Sequence, residues 1–416
     1  MLNPRWGSQA YDSRGGDFDP SLCLDSNIPL SPGDTLVSLN SAYDRFPDGT
    51  PFSTESYVRA GAILNIVDLP QAPTSFRPPY ARPGRYPVSA SDPLRFDSSQ
   101  VQWNLLPQFD GVPGAPTSLS ESKFRLERPW IDHCPEMFYA MPSENQPWDG
   151  REWAFFPGEA SLLLMLSRFG TAEKAPLLYD LVQLGIDIYG NVLDGATYGP
   201  DGQGYGGRKW PPLFAGIMLD HDGMKSMPIT NSYGHYLFQE DAQTYYYDDP
   251  ALQPLADNLG APCNQAGPNC FRVRGEKGWI DKLNGGAGDI VLWSIRGTGL
   301  VWDHVAAHEH LHLSDWHPSG AEQIKSEAYR RTNSDTWVSV ALAARLMNGI
   351  PLWNHNEYFD YVDRWMLQDT GPATDLIRQR FSQADDWVNT QGNTAPAWVA
   401  EMWNAYRGPI IPLRSD

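Results

Sequence analysis

Tyr329 stands directly beside two arginines, Arg330 and Arg331, in the run Glu327-Ala-Tyr-Arg-Arg-Thr-Asn-Ser-Asp335. Arginine grips a carboxylate through a two-pronged fork. A guanidinium also favours phenolate, which lowers a tyrosine pKa toward the range where the oxygen can take a proton. The competing reading pairs both arginines with the chain's many acids. A second run, Asn231 to Asp249, crowds an amide, phenols, an imidazole and carboxylates together: Asn231, His235, Glu240, Asp241 and Gln243. His235 needs no tuning to act as a base near neutral pH. Glu240 and Asp241 are candidates for the acid and base of a glycosidase. In a helix, His235 and Gln239 would share a face. The plainer alternative is a tyrosine-rich helix end with a solvated acidic tail.

A third run, Asp194 to Pro212, is glycine-rich, so its backbone can approach a ligand closely. It carries Gln203, Tyr205, Arg208, Lys209 and Trp210. Arg208 and Lys209 precede a helix, where the macrodipole disfavours cations, and an anionic ligand would account for them. The phosphate-loop order G-x-x-x-x-G-K-[ST] is absent. The alternative is a glycine-rich loop whose arginine pairs with a nearby carboxylate. Fourth, five of the nine histidines fall between Asp303 and His317. His308, His310 and His312 alternate as on one face of a strand, whereas His304 and His308 would share a helix face. Either arrangement can hold a transition metal, but the zincin spacing is not present. The expectation is no catalytic metal, with a structural metal at residues 304–312 as the alternative.

The elements that must position these groups are mainly helical. Apolar periodicity predicts helices over 156–169, 172–189, 209–219, 332–347, 358–367, 374–381 and 395–406. Asn333 or Ser334 is the expected cap of the fourth. Strand-like stretches are few, the best being 288–294 and 305–313. Residues 1–125 are rich in Pro, Ser, Asp and Gly, with a short helix expected over 53–67. Hairpins of helices without a fixed repeat suggest a closed α/α toroid or barrel with long loops, rather than a solenoid. The expected organisation is a coil-rich segment, 1–120, packed on a toroid formed by 121–416.

With 31 Lys+Arg against 50 Asp+Glu, the formal charge is −19 and binding of nucleic acid by bulk charge is excluded. Twelve per cent aromatic residues exclude general disorder. No apolar run approaches the ~20 residues that span a bilayer. Met1-Leu-Asn-Pro-Arg5 has no apolar leader, so a cytoplasmic location stays open beside a periplasmic or secreted one. Cys263 and Cys270 flank a short loop that a disulfide can close, and such a bridge would favour the periplasm or the exterior; two free thiols are the alternative.

Four runs, GQGYGGRKWPPLFAGIML (202–219), FQEDAQTYYYD (238–248), EAYRRTNSDTWVSVALAARLM (327–347) and LWNHNEYFDYVDRWM (352–366), resemble bacterial polysaccharide lyases with α/α-toroid folds. The nearest kind is the lyases of alginate and glucuronan, and the resemblance covers roughly residues 120–370. It implies β-elimination on an acidic polysaccharide in the periplasm or outside the cell, without a cofactor. It also implies a base and acid drawn from Tyr329 and His235, with Arg330, Arg331 and Asn231 neutralising the uronate carboxylate. Arg208, Lys209, Gln203, Tyr205, Trp210, Glu240, Gln243 and His308 are then the expected substrate contacts. The net charge departs from what a polyanion binder should carry, so a basic cleft is expected at the arginines. Trp210, Trp302 and Trp316 are expected in the cleft, since indole faces suit pyranose rings. Two other readings stay open: a glycoside hydrolase using Asp201, Glu240 and Asp241, and a non-catalytic glycan-binding protein.

Overall fold

The computed structural model describes residues 2–7, 29–41, 58–68, 70–81, 94–133, 152–199, 205–246, 291–293, 316, 318–367, 371–381 and 395–408. The described chain is mainly helical with few strands. By internal packing it divides into two units. The first is Met1–Gly111, Ala115–Thr197 and Gly207–Met227; the second is Val112–Gly114, Tyr198–Gly206 and Pro228–Asp416.

The first unit opens with an antiparallel pair, β1 (Thr35–Ser41) and β2 (Val58–Asn65), in which Thr35 faces Asn65 and Val37 faces Ile63. The short helix expected over 53–67 is therefore corrected to a strand over Val58–Asn65, residues 53–57 lying outside the described residues. Pairing with β1, which buries Val37, overrides the weak helical pattern. Five helices follow: α1 (Ser120–Leu126), α2 (Glu152–Leu164), α3 (Thr171–Leu193), α4 (Trp210–Leu219) and α5 (Asp222–Lys225). α3 buries the expected stripe of Leu177, Leu178, Leu181, Leu184 and Ile188. It runs past Gly190, the expected stop. A Cβ there would lie 2.3 Å from the Pro79 side chain, so this glycine serves a close approach rather than a cap. α4 crosses α3 at Gly185, where a Cβ would meet the Pro211 carbonyl oxygen at 2.3 Å.

The proline-rich coil is tied to α3 by specific groups. Gln183 accepts from the Arg77 amide at 2.8 Å and donates to the Arg77 carbonyl at 2.9 Å. Asp187 accepts from the Arg77 guanidinium through both carboxylate oxygens, one of them at 2.9 Å. These bonds order a segment that has no periodic pattern of its own.

The second unit contains α6 (Gln239–Gln243), the antiparallel pair β3 (Thr244–Tyr246) and β4 (Val291–Trp293), then α7 (Ala321–Leu346), α8 (Ile350–Trp353), α9 (Asn356–Leu367), α10 (Gly371–Arg380) and α11 (Ala397–Tyr406). β4 falls inside the expected strand 288–294; the stretch 305–313 lies outside the described residues. α7 begins at Ala321, well before the expected start. Asn333 and Ser334 do not cap it. The Ser334 hydroxyl donates to the Arg330 carbonyl at 2.6 Å, four residues back, so the helix itself absorbs this polar group.

Candidate functional site

α6 is short, and every one of its residues is buried: Gln239, Glu240, Asp241, Ala242 and Gln243. Phe238, extended and stacked on Tyr198 at 6.0 Å, anchors its start. Gln239 Nε2 donates to Gln243 Oε1 at 3.0 Å and to Asn333 Oδ1 at 3.2 Å. That bridge joins α6 to α7. Among the described residues Gln239 Oε1, Gln243 Nε2 and Asn333 Nδ2 have no hydrogen-bond partner. An unmet buried polar atom costs about 1–3 kcal/mol, so three in one cluster mark α6 and Asn333 as a candidate site.

The other face of α6 is acidic. Asp241 Oδ1 accepts from Trp353 Nε1 at 3.1 Å. Trp353 stacks face to face on Tyr358 at 4.6 Å, and the Tyr358 hydroxyl donates to the Trp337 carbonyl at 3.1 Å. Burial pushes the Tyr358 phenol well above its ordinary pKa, and the charges of Glu240 and Asp241 push it further. This phenol stays neutral. His355 closes the end of the helix, with Nε2 at 3.0 Å from both the hydroxyl and the carbonyl of Thr244 and Nδ1 at 3.2 Å from Glu357.

The arginines expected to meet substrate have other partners. Arg330 Nε and Nη2 donate to Glu327 at 2.8 and 2.9 Å, and Arg331 Nε donates to the same carboxylate at 2.7 Å. Arg330 also reaches the Tyr361 hydroxyl at 3.1 Å and lies over Trp365; Arg331 reaches Thr374 Oγ1 at 2.7 Å. Burial alone would raise the Glu327 pKa, but the two guanidiniums outweigh it and hold the carboxyl at about 2. Both guanidiniums are thus held by a carboxylate of the chain itself, the competing reading of this run; the side chain of Tyr329 lies outside the described residues. Successive helical residues do not face each other, and these two point to Glu327. The backbone of Tyr329 lies within α7, one turn before Asn333, rather than at a helix start.

Arg208, in the first unit, is likewise internal. It is fully buried, donates to both oxygens of Asp132 at 2.9 and 3.1 Å, and lies over Trp153 at 4.6 Å and Trp130 at 5.0 Å. The alternative reading, an arginine paired with a carboxylate, is the one observed. Lys209 is buried at the start of α4. Trp210 is buried and donates to Ser161 Oγ at 2.7 Å, and Trp316 is buried on Phe381, so neither indole lines a cleft. Tyr205 packs edge-on to Tyr198 at 5.8 Å. Asn231 is a turn former: its Oδ1 accepts from the amides of Tyr233 and His235 at 2.9 and 3.0 Å. That turn leaves His235 exposed beside Tyr233, which is 84% exposed, with ring centroids 6.4 Å apart. His235 therefore does not share a helix face with Gln239. Gln203, Asp201, Trp302, His304, His308, His310, His312, Cys263 and Cys270 lie outside the described residues.

Sequence reasoning missed Gln239 and Asn333. The available signal was the i, i+4 pair Gln239/Gln243, inside a run otherwise aromatic or acidic. It also missed two carboxyls of the first unit. Burial raises Glu159 to about 7, with the Glu121 charge adding to the effect, and burial raises Asp180 to about 6. Among the described residues no group of three or more His, Cys, Asp and Glu side chains is arranged to hold a metal, and no helix is long and apolar enough to cross a membrane. No protein-family model, no curated protein and no solved structure matches the chain.

Proposed function

We propose that the protein is a polysaccharide lyase that cleaves a β-linked polyuronate of the glucuronan or alginate type, on an α/α-toroid arrangement of its helices. The observation that carries this reading is the cluster of amide N–H groups on Gln243 and Asn333, held by Gln239 and unclaimed by any described residue. β-Elimination needs donors on the uronate carboxylate, because the charge that develops there when the C5 proton leaves must be stabilised. Neutral amides can do this without a basic cleft, which suits a chain of charge −19 better than the arginines do. In this mechanism His235 takes the C5 proton. The C5–H electron pair forms the C4=C5 double bond, the C4–O4 bond breaks, and O4 leaves with a proton from Tyr329. The substrate is an acidic polysaccharide, no cofactor takes part, and the site of action is the periplasm or the exterior. Incubation with glucuronan, alginate, pectate and glycosaminoglycans, read as ultraviolet absorbance of the 4,5-unsaturated end, tests the reading. No absorbance on any of them would remove it.

A hydrolase is the second reading, favoured by one feature: Glu240 and Asp241 are both buried and close enough to shift Tyr358. Hydrolysis would release reducing ends with no absorbance. A glycan-binding protein would yield neither.

A further inference from the structure

We propose that the first unit carries a separate binding site for one neutral sugar residue, in a cavity of about 300 Å³ lined by β2, α3 and the segment that follows α1. This inference is independent of the lyase reading. The volume sits at the lower end of ligand pockets, enough for a single ring.

The floor of the cavity is preorganised. Arg77 is locked to Asp187 and Gln183 by the bonds described above, so these groups hold their positions without a ligand. Asp180 lies seven residues before Asp187, two helical turns along the same face of α3. Its Oδ2 is buried and makes no hydrogen bond among the described residues. Trp130, 1% exposed, also lines the cavity, and its Nε1 is likewise buried and without a hydrogen-bond partner among the described residues. The lining thus includes an unmet acceptor and an unmet donor.

That pairing selects the ligand. A hydroxyl both donates and accepts, so neighbouring sugar hydroxyls can serve both groups. An ammonium would serve Asp180 and leave the indole unmet. The lining sets Asp180, Asp187 and Glu127 against Arg77 and Arg128, a net negative balance that opposes a carboxylate or phosphate even where it could serve the indole. Leu126, Leu184 and Ile63 supply an apolar wall for the C–H face of a pyranose.

Titration calorimetry on the full chain, with the methyl glycosides of glucose, galactose and mannose, tests this. At least one should bind saturably, with sodium glucuronate and ethylammonium weaker. Asp180→Asn and Trp130→Phe should each weaken binding by about 5–10-fold, the scale of one hydrogen bond, with melting curves confirming folded protein. Asp222→Asn, at an exposed side chain outside the cavity lining, should bind as the parent does. If all three glycosides fail to bind, if ethylammonium or glucuronate binds best, or if both folded variants bind normally, the proposal is overturned.

Discussion

Glu327 holds two guanidiniums in a buried cluster, and removing its charge should expose how much rests on it. Glu327→Gln replaces the carboxylate that Arg330 and Arg331 share by a neutral amide, and breaking a buried pair costs about 3–5 kcal/mol. Urea unfolding should register that loss; a change below ~1 kcal/mol would show the cluster to be dispensable. The same residue sets acid stability. Its folded pKa lies below the ordinary 4.5, so its contribution is present above about 4.5 and is lost as pH falls toward about 2. Glu159 and Asp180 act with the opposite sign. Their folded pKa values, about 7 and about 6, lie above the ordinary 4.5 and 3.8, so the folded state binds more protons and stability falls as pH rises through that window. Buried His133, held down at about 3, acts the other way up to about 6.5, so the test is the difference between proteins: Glu159→Gln should gain melting temperature relative to the wild type as pH rises from about 4.5 to 7. A difference between the two proteins that stays constant across that window would contradict the Glu159 assignment. At this scale the sequence revealed which residues carry charge but not which partners they have. Arg208 reads as an anion-binding cation because Asp132, which satisfies it, lies far back in the chain. Asn333 reads as a helix cap because nothing local announces Gln239 as its partner.

At the scale of elements, α3 and α4 meet at Gly185, where the α4 backbone occupies the space of a side chain. Gly185→Ala should therefore destabilise by about 1–3 kcal/mol despite its better helix propensity, because overpacking outweighs propensity. An unchanged or raised melting temperature would mean that the helices can separate freely there. Helices were the legible part of the sequence, since an apolar stripe such as Leu177 to Ile188 writes its own period. Their ends were less so. Gly190 reads as a stop but is an interior contact with Pro79. The start of α7 was hidden because Arg330 and Arg331 read as a substrate-gripping site ahead of the helix, whereas the helix buries them with Glu327. β2 was misread because its stability comes from a strand distant in sequence. The turn at Asn231 could not be separated from a helix by composition alone, and its side-chain bonds to two amides decide it.

At the scale of the whole molecule, a charge of −19 must be reconciled with a polyanionic substrate. Long-range repulsion should slow encounter at low ionic strength. KM for a polyuronate should therefore fall as salt rises from about 0.01 to 0.15 M, over which the Debye length shrinks from ~30 to ~8 Å. A KM that rises with salt would instead reveal a basic cleft. The central claim, elimination assisted by amide donors, is tested most directly by following ultraviolet absorbance and reducing ends together on glucuronan and alginate, for the wild type and for Asn333→Ala. The account predicts that both signals grow in step for the wild type on one of these polymers, and that the variant loses about 10²-fold or more in turnover, the scale of one lost oxyanion donor. Reducing ends that accumulate without absorbance, or a folded Asn333→Ala enzyme with wild-type turnover, would contradict it.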